Sequence, residues 1–144
     1  MKAQTLLAFD FGLKRIGVAV GQTVSRTANE LETVTATGGN PDWKRIDHLV
    51  AEWEPDTLIV GAHAGSNEGE IQKAIRQFGS SLVQRYNLPL FWVDETLTTE
   101  AANIELQRSE LSKEKKRALR DRVAARIILE SHFNALPPSR EDIE

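Results

Sequence analysis

The chain has 144 residues, of which 40% are hydrophobic and 27% charged, and this composition suits one water-soluble domain with a buried core. Its formal net charge of −3 excludes a globally cationic nucleic-acid binder, so any such surface has to be local. The chain contains no cysteine, which excludes disulfides and thiolate metal sites.

The three histidines, His48, His63 and His132, form no zinc-ligand motif. The sequence shows no apolar run long enough to span a bilayer and no secretory leader. We therefore expect a cytoplasmic protein. His63 follows a predicted strand, and a loop histidine without a specific role is the simplest interpretation of it.

The first elements form a predicted hairpin. Residues 5–11 lack polar alternation, which is typical of a strand covered on both faces. Residues 12–15 predict a tight basic turn, residues 16–21 its antiparallel partner strand, and residues 31–37 a third extended segment. Asn40 and Pro41 then predict the start of a helix, with Asn40 as its N-cap.

Helices and strands alternate in the second half. The predicted elements are a strand at 57–61, a helix whose apolar side carries Ile71, Ile75, Phe78 and Leu82, a strand at 88–93, and helices at 99–108 and 113–133, the last beginning after Ser112. This order predicts an α/β fold: a five-stranded mixed sheet, its first three strands antiparallel, with helices on both faces. We expect one domain over residues 1–136 and a flexible tail at 137–144.

Three acidic positions are candidates for a metal site. Asp10 stands among large apolar neighbours, where a carboxylate is costly to bury without a partner. Asp94 and Glu95 follow a predicted buried strand, at the end where open α/β sheets bind ligands. Asp121 shares a helix face with Ala124, Ala125 and Ile128. Each position also has an ordinary explanation, such as a polar strand end or an arginine partner, but together they suit Mg²⁺ or Mn²⁺.

Basic residues cluster next to these acids. Eight lysines and arginines against three acids lie between Arg108 and Arg126. Lys14 and Arg15 add two charges in the turn after Asp10. A solvated helix face is the alternative interpretation, but the position beside a carboxylate site favours binding of a phosphate backbone.

Three segments of the sequence resemble the YqgF (RuvX) family, and the resemblance extends over nearly the whole chain in the same order. They are Asp10-Phe-Gly-Leu-Lys-Arg-Ile-Gly-Val-Ala-Val-Gly21, Asp94-Glu95-Thr-Leu-Thr-Thr99, and Asp121-Arg-Val-Ala-Ala125 with Ile127-Ile-Leu-Glu130. The first segment is the most diagnostic.

The resemblance implies a ribonuclease-H-like fold and a metal-dependent nuclease of the bacterial cytoplasm. The family is associated with processing the 5′ end of pre-16S ribosomal RNA, and earlier descriptions favoured Holliday-junction resolution. Asp10, Glu95 and Asp121 correspond to its metal-binding, catalytic acids. With the basic cluster, this leads us to expect Lys14, Arg15, Arg117 and Arg120 to bind the nucleic-acid backbone. Spacing does not separate Asp94 from Glu95.

The chain departs from the family pattern at Gly61-Ala62-His63, at Thr96 and at Leu119-Arg120, where the family usually has Gly-Leu-Pro, Arg and Lys-Val. The first two departures affect substrate contacts more than the acids. The alternatives to a ribosomal-RNA nuclease are a junction resolvase acting on DNA as a dimer and a non-catalytic RNA-binding assembly factor. A two-lobed phosphotransferase would need a longer chain.

Overall fold

A computed structural model describes residues 3–62, 69–94, 104, 106–107 and 112–136. The described elements are β1 (Thr5–Asp10), β2 (Arg15–Gln22), β3 (Thr27–Thr37), β4 (Asn40–Pro41), α1 (Trp43–Trp53), β5 (Thr57–Ala62), α2 (Gly69–Tyr86), β6 (Leu90–Asp94) and α3 (Lys113–Ala135). The predicted helix at 99–108 lies largely outside these residues, as does the predicted tail at 137–144. None of the described helices has the length and hydropathy needed to cross a bilayer.

The strands form one mixed sheet in the order β4-β3-β2-β1-β5-β6. β1, β2 and β3 pair antiparallel, whereas β5 pairs parallel with β1, and β6 parallel with β5. The predicted mixed sheet with three antiparallel strands first is confirmed. Because β1, β5 and β6 run in the same direction, their carboxyl ends lie along one edge of the sheet.

The predicted strand number of five is wrong, since the sheet has six strands. Gly38 and Gly39 both have positive φ, +57° and +83°, and form a two-residue turn that pairs Thr37 with Asn40. The sequence predicted that Asn40 caps α1, and this prediction is wrong, because Asn40 belongs to β4. The N-cap is Asp42, whose side chain accepts a hydrogen bond from the Arg45 amide.

Helices cover both faces of the sheet, as predicted. On one face, α1 and α2 pack on alternate residues of the strands, including Leu7, Phe9, Ile16 and Val18. On the other face, α3 packs on Leu6, Ala8, Ala19 and Ile59. This alternation determines which face of the sheet each strand residue points to.

A β-bulge in β3 changes that alternation. The register shifts between Val18 and Ala19, so that Leu31 is the extra residue between the paired Glu30 and Glu32. Glu30 consequently binds Arg126 of α3, whereas Glu32 binds Arg45 of α1. The Arg126 side chain therefore reaches from α3 to β3 of the sheet.

Candidate active site

Asp10 ends β1 on the α3 face of the sheet. Leu6 and Ala8 pack against α3, and Leu7 and Phe9 against the other helices, so strand alternation directs the Asp10 side chain to α3. Asp10 is partly buried. In the antiparallel ladder it pairs with Gly17 of β2.

Gly17 is also a point of very close approach between α3 and the sheet. A Cβ built on Gly17 would lie 1.8 Å from the carbonyl oxygen of Asp121, so the helix backbone occupies the space of a side chain. Gly17 pairs with Asp10 within the sheet, and the side of Gly17 that faces α3 contacts the Asp121 backbone. This packing brings Asp10 and Asp121, which are 111 positions apart in the sequence, to the same part of one sheet face.

The Asp121 side chain has a partner that the sequence did not predict. Nε of Arg15, the first residue of β2, donates a hydrogen bond to Oδ2 of Asp121 at 2.8 Å. The Asp121 side chain is only 16% exposed and that of Arg15 34%, so the ion pair is partly shielded from water. The sequence suggested an arginine as the ordinary partner of Asp121, and the structure shows that this arginine is the first residue of β2.

Asp94 ends β6 at the same sheet edge but points to the other face. In β6, Val93 packs with the α3 cluster and the Phe91 ring lies 5.5 Å from that of His132 in α3. Trp92, in contrast, lies against Gly79 of α2. Odd-numbered residues of β6 therefore face α3, and alternation directs the exposed Asp94 to the α2 side.

Glu95, the remaining acid of the predicted triad, lies outside the described residues, as do His63, Thr96 and Arg108. Within the part of the chain that the structure describes, no three His, Cys, Asp or Glu side chains come together as a metal site. The arrangement brings Asp10 and Asp121 to one region of the α3 face. Their chemistry fits a hard divalent cation, because both provide carboxylate oxygens.

The basic residues of α3 form a cleft next to Asp121. The cleft has a volume of about 340 Å³, and its lining residues are Leu106, Gln107, Lys113, Lys116, Arg117 and Arg120. Its four basic residues recur at helical spacing, so they share one side of the first two turns. Arg117 is one turn before Asp121, which places the cleft beside this acid.

Other basic residues of the predicted cluster lie elsewhere. Arg126 binds Glu30 at 3.1 Å and Glu130 at 3.3 Å, which assigns it to the β3 side of the helix. Lys14 is exposed in the turn between β1 and β2. The basic residues are close together in the sequence, but the fold separates them. Four line the cleft, Lys14 lies in the turn, and Arg126 forms an ion pair with Glu30.

The family model described as "RuvX: Holliday junction resolvase" matches residues 4–135. A protein of Saccharophagus degradans, named as a proposed pre-16S rRNA nuclease, is 42% identical over 142 residues, covering 96% of this chain and 99% of the relative. A protein of Nitrosococcus oceani with the same name is 43% identical over 132 residues, covering 90% and 86%.

Solved structures of resolvases share the fold. The RuvC protein of Thermus thermophilus in complex with a Holliday junction aligns with a TM-score of 0.54 at 15% identity, covering 92% of this chain and 94% of that one. The fowlpox virus Holliday junction resolvase aligns with a TM-score of 0.56 at 16% identity, covering 92% and 99%. At such identities the likeness concerns the fold alone, and it agrees with the ribonuclease-H-like architecture that the sequence predicted.

Proposed function

We propose that this chain, which belongs to the RuvX family, is a divalent-metal-dependent nuclease that hydrolyses phosphodiester bonds in pre-16S ribosomal RNA. The observation that supports this most directly is the position of Asp10 and Asp121 around Gly17, beside a cleft lined by four basic residues. A carboxylate pair next to a cationic cleft suits a substrate that carries phosphates. The names of the relatives supply the RNA part of the proposal.

Asp10, Asp121 and Glu95 would hold Mg²⁺ or Mn²⁺. A bound divalent ion supplies an activated water and stabilises the leaving oxygen in phosphodiester hydrolysis. We propose Glu95 rather than Asp94 as the third ligand, because Asp94 points away from the α3 face and the family resemblance assigns this role to Glu95. The carboxylates' own task is to keep their oxygens fixed on the α3 face.

The basic residues would bind the backbone of the nucleic-acid strand. Arg117 and Arg120, with Lys113 and Lys116, offer the cleft's positive charge to successive phosphates. Lys14 lies in the turn that follows Asp10 and Arg15 begins β2, so we propose that they contact the nucleic-acid backbone next to the acids. The contact between Arg15 and Asp121 uses Nε, so the terminal nitrogens of the guanidinium can make the first contact with a phosphate.

The experiment is cleavage of a structured precursor of 16S rRNA by the purified chain in Mg²⁺ or Mn²⁺. We expect Asp10→Asn to lower the rate by roughly 100-fold or more, since the metal ion supplies several kcal/mol of transition-state stabilisation. Glu70→Gln removes an exposed carboxylate at the start of α2 and is the matched control. Cleavage that persists in Asp10→Asn would contradict the site, whereas RNA binding without cleavage in either metal would favour the assembly factor.

Junction DNA is the second candidate substrate, and the family description favours it. A four-way DNA junction tested in the same assay separates the two. Paired symmetric cuts in the junction, made by a dimer and faster than cleavage of the RNA, would assign the activity to DNA. A role on ribosomal precursor RNA within a ribosomal particle would agree with the cytoplasmic location expected from the sequence.

A further inference from the structure

The contact between Arg15 and Asp121 joins a residue proposed for phosphate binding to one proposed for cation binding. We propose, on the basis of the proposed function, that Arg15 couples nucleic-acid binding to cation binding. Without nucleic acid, Arg15 pairs with Asp121. When nucleic acid binds, one of its phosphates replaces Asp121 as the partner of the guanidinium. Binding of the strand then makes Asp121 a better ligand for a divalent cation. Arg15 is in this view a positioning residue and not a catalytic one.

The first step of the argument is competition for one carboxylate. The guanidinium nitrogen lies 2.8 Å from Oδ2 of Asp121, in a place where the Asp121 side chain is 16% exposed. A partly buried carboxylate is stabilised by a partner charge, and a second cation brought to it is repelled by the guanidinium already present. Partial burial also weakens screening by salt. In the protein without nucleic acid, Arg15 therefore lowers the affinity of Asp121 for a divalent ion.

The second step is the accessibility of Arg15 to a phosphate. Its side chain is 34% exposed, twice the fraction of Asp121, and it follows the exposed Lys14. Arginine matches phosphate with two parallel hydrogen bonds, so a strand phosphate is a strong competitor for the guanidinium. The charge of Arg15 is then neutralised by the strand, and its repulsion of a cation at Asp121 falls.

The third step is that only the side chain has to move. The backbone amide of Ala36 donates to the carbonyl of Lys14 at 2.9 Å, and that of Gly39 donates to the carbonyl of Leu13 at 3.1 Å. These bonds attach the turn to the hairpin of β3 and β4. Arg15 itself pairs with Thr35 in the sheet, so the backbone that carries it is fixed.

The test measures Mn²⁺ affinity by electron paramagnetic resonance, without RNA and with a 2′-O-methyl RNA 12-mer whose integrity is checked on a gel. We expect the RNA to tighten Mn²⁺ binding by the unmodified chain by roughly 5- to 50-fold, within the usual range of coupling between sites. Arg15→Gln should bind Mn²⁺ several-fold more tightly than the unmodified chain without RNA. Its response to RNA should fall to less than about twofold, because reciprocal coupling needs the shared residue.

Two further variants make the result decisive. Arg45→Gln removes an arginine from a strand-to-helix ion pair with Glu32 on the opposite sheet face, and should leave Mn²⁺ affinity and coupling unchanged. Arg15→Lys keeps the positive charge, so it should not show the gain in Mn²⁺ affinity of Arg15→Gln. An equal gain in both Arg15 variants would assign the effect to loosened packing and overturn the proposal.

The outcomes also separate this inference from the proposed function. If the unmodified chain binds Mn²⁺ and cleaves RNA, but RNA leaves its Mn²⁺ affinity unchanged, the coupling is wrong and the nuclease stands. If it binds neither Mn²⁺ nor RNA, both the nuclease and the coupling are wrong.

Discussion

Gly17 and Asp121 are in direct contact across the interface between the sheet and the last helix: a Cβ on Gly17 would lie 1.8 Å from the Asp121 carbonyl oxygen. The absence of a side chain at one strand position thus sets how closely α3 approaches β2. Asp10 is the ladder partner of the same glycine. The spacing of the two acids therefore depends on a residue that carries no functional group.

Gly17→Ala should damage both stability and activity. The added methyl group meets backbone atoms, which cannot rotate away, so we expect destabilisation of about 1–3 kcal/mol or more. The displaced helix would separate Asp121 from Asp10, and cleavage of RNA should fall further than stability alone explains. Urea unfolding measures the first effect and cleavage by the remaining folded protein the second.

The control for this variant is Gly69→Ala. Gly69 begins α2, and a Cβ built there has no neighbour within 4 Å among the residues that the structure describes. Its unfolding midpoint should stay close to that of the unmodified chain. If Gly17→Ala also unfolds at the unmodified midpoint and cleaves normally, close approach at this point is not needed for the site.

Glu95→Gln should abolish cleavage, whereas Asp94→Asn should retain most of it. The reason is the alternation in β6, which directs Phe91 and Val93 towards α3 and Trp92 towards α2. The two variants remove one charge each from adjacent positions, so they control for net charge. Equal losses in both would indicate that the two carboxylates share the metal, and a loss only in Asp94→Asn would reverse the assignment.

Charge removal in the cleft should weaken RNA binding more than charge removal beside it. Arg120→Gln takes a cation from the cleft lining, whereas Lys115→Gln takes one from an exposed helix position outside that lining. For Arg120→Gln, the slope of log affinity against log salt should decrease by about 1, because one phosphate contact is lost. A salt titration of fluorescence anisotropy measures it. Identical slopes in the two variants would indicate a diffuse basic surface.

The stability of the protein should fall as the pH decreases through the range where His132 titrates. Burial lowers the pKa of His132 below its ordinary value of 6.5, so the unfolded state binds its proton more readily than the folded state. Its contribution is fully present above about pH 6.5 and is lost as the pH falls towards the lower folded pKa. Urea unfolding at pH 7.5 and 5.5 measures the change.

His132→Gln should reduce the difference in unfolding free energy between these two pH values, because it removes the titrating group. His48→Gln, at an exposed position of α1, should leave the difference nearly as it is. A pH dependence that His132→Gln does not alter would assign the effect to other groups.

The sequence by itself determined the kinds of element and the residues with functional chemistry. An unbroken apolar run predicted β1, and the capping serine and helical spacing predicted α3, which begins after Ser112 as expected. These signals are local, because each depends on neighbours within a few residues. The same locality explains why the predicted N-cap at Asn40 is wrong. Asn40 is a residue type that favours helix N-caps, but the hairpin turn at Gly38 and Gly39 pairs it with Thr37 in the sheet.

Only the tertiary structure decided which of these residues meet. Helical spacing predicted that Asp121 faces the sheet, but it could not predict that its partner is Arg15, 106 residues earlier in the sequence. Spacing also did not separate Asp94 from its neighbour, whereas the packing of β6 between two layers assigns Asp94 a direction. The physical reason is that contacts between distant residues depend on the register of strands and the approach of helices, which no local pattern encodes.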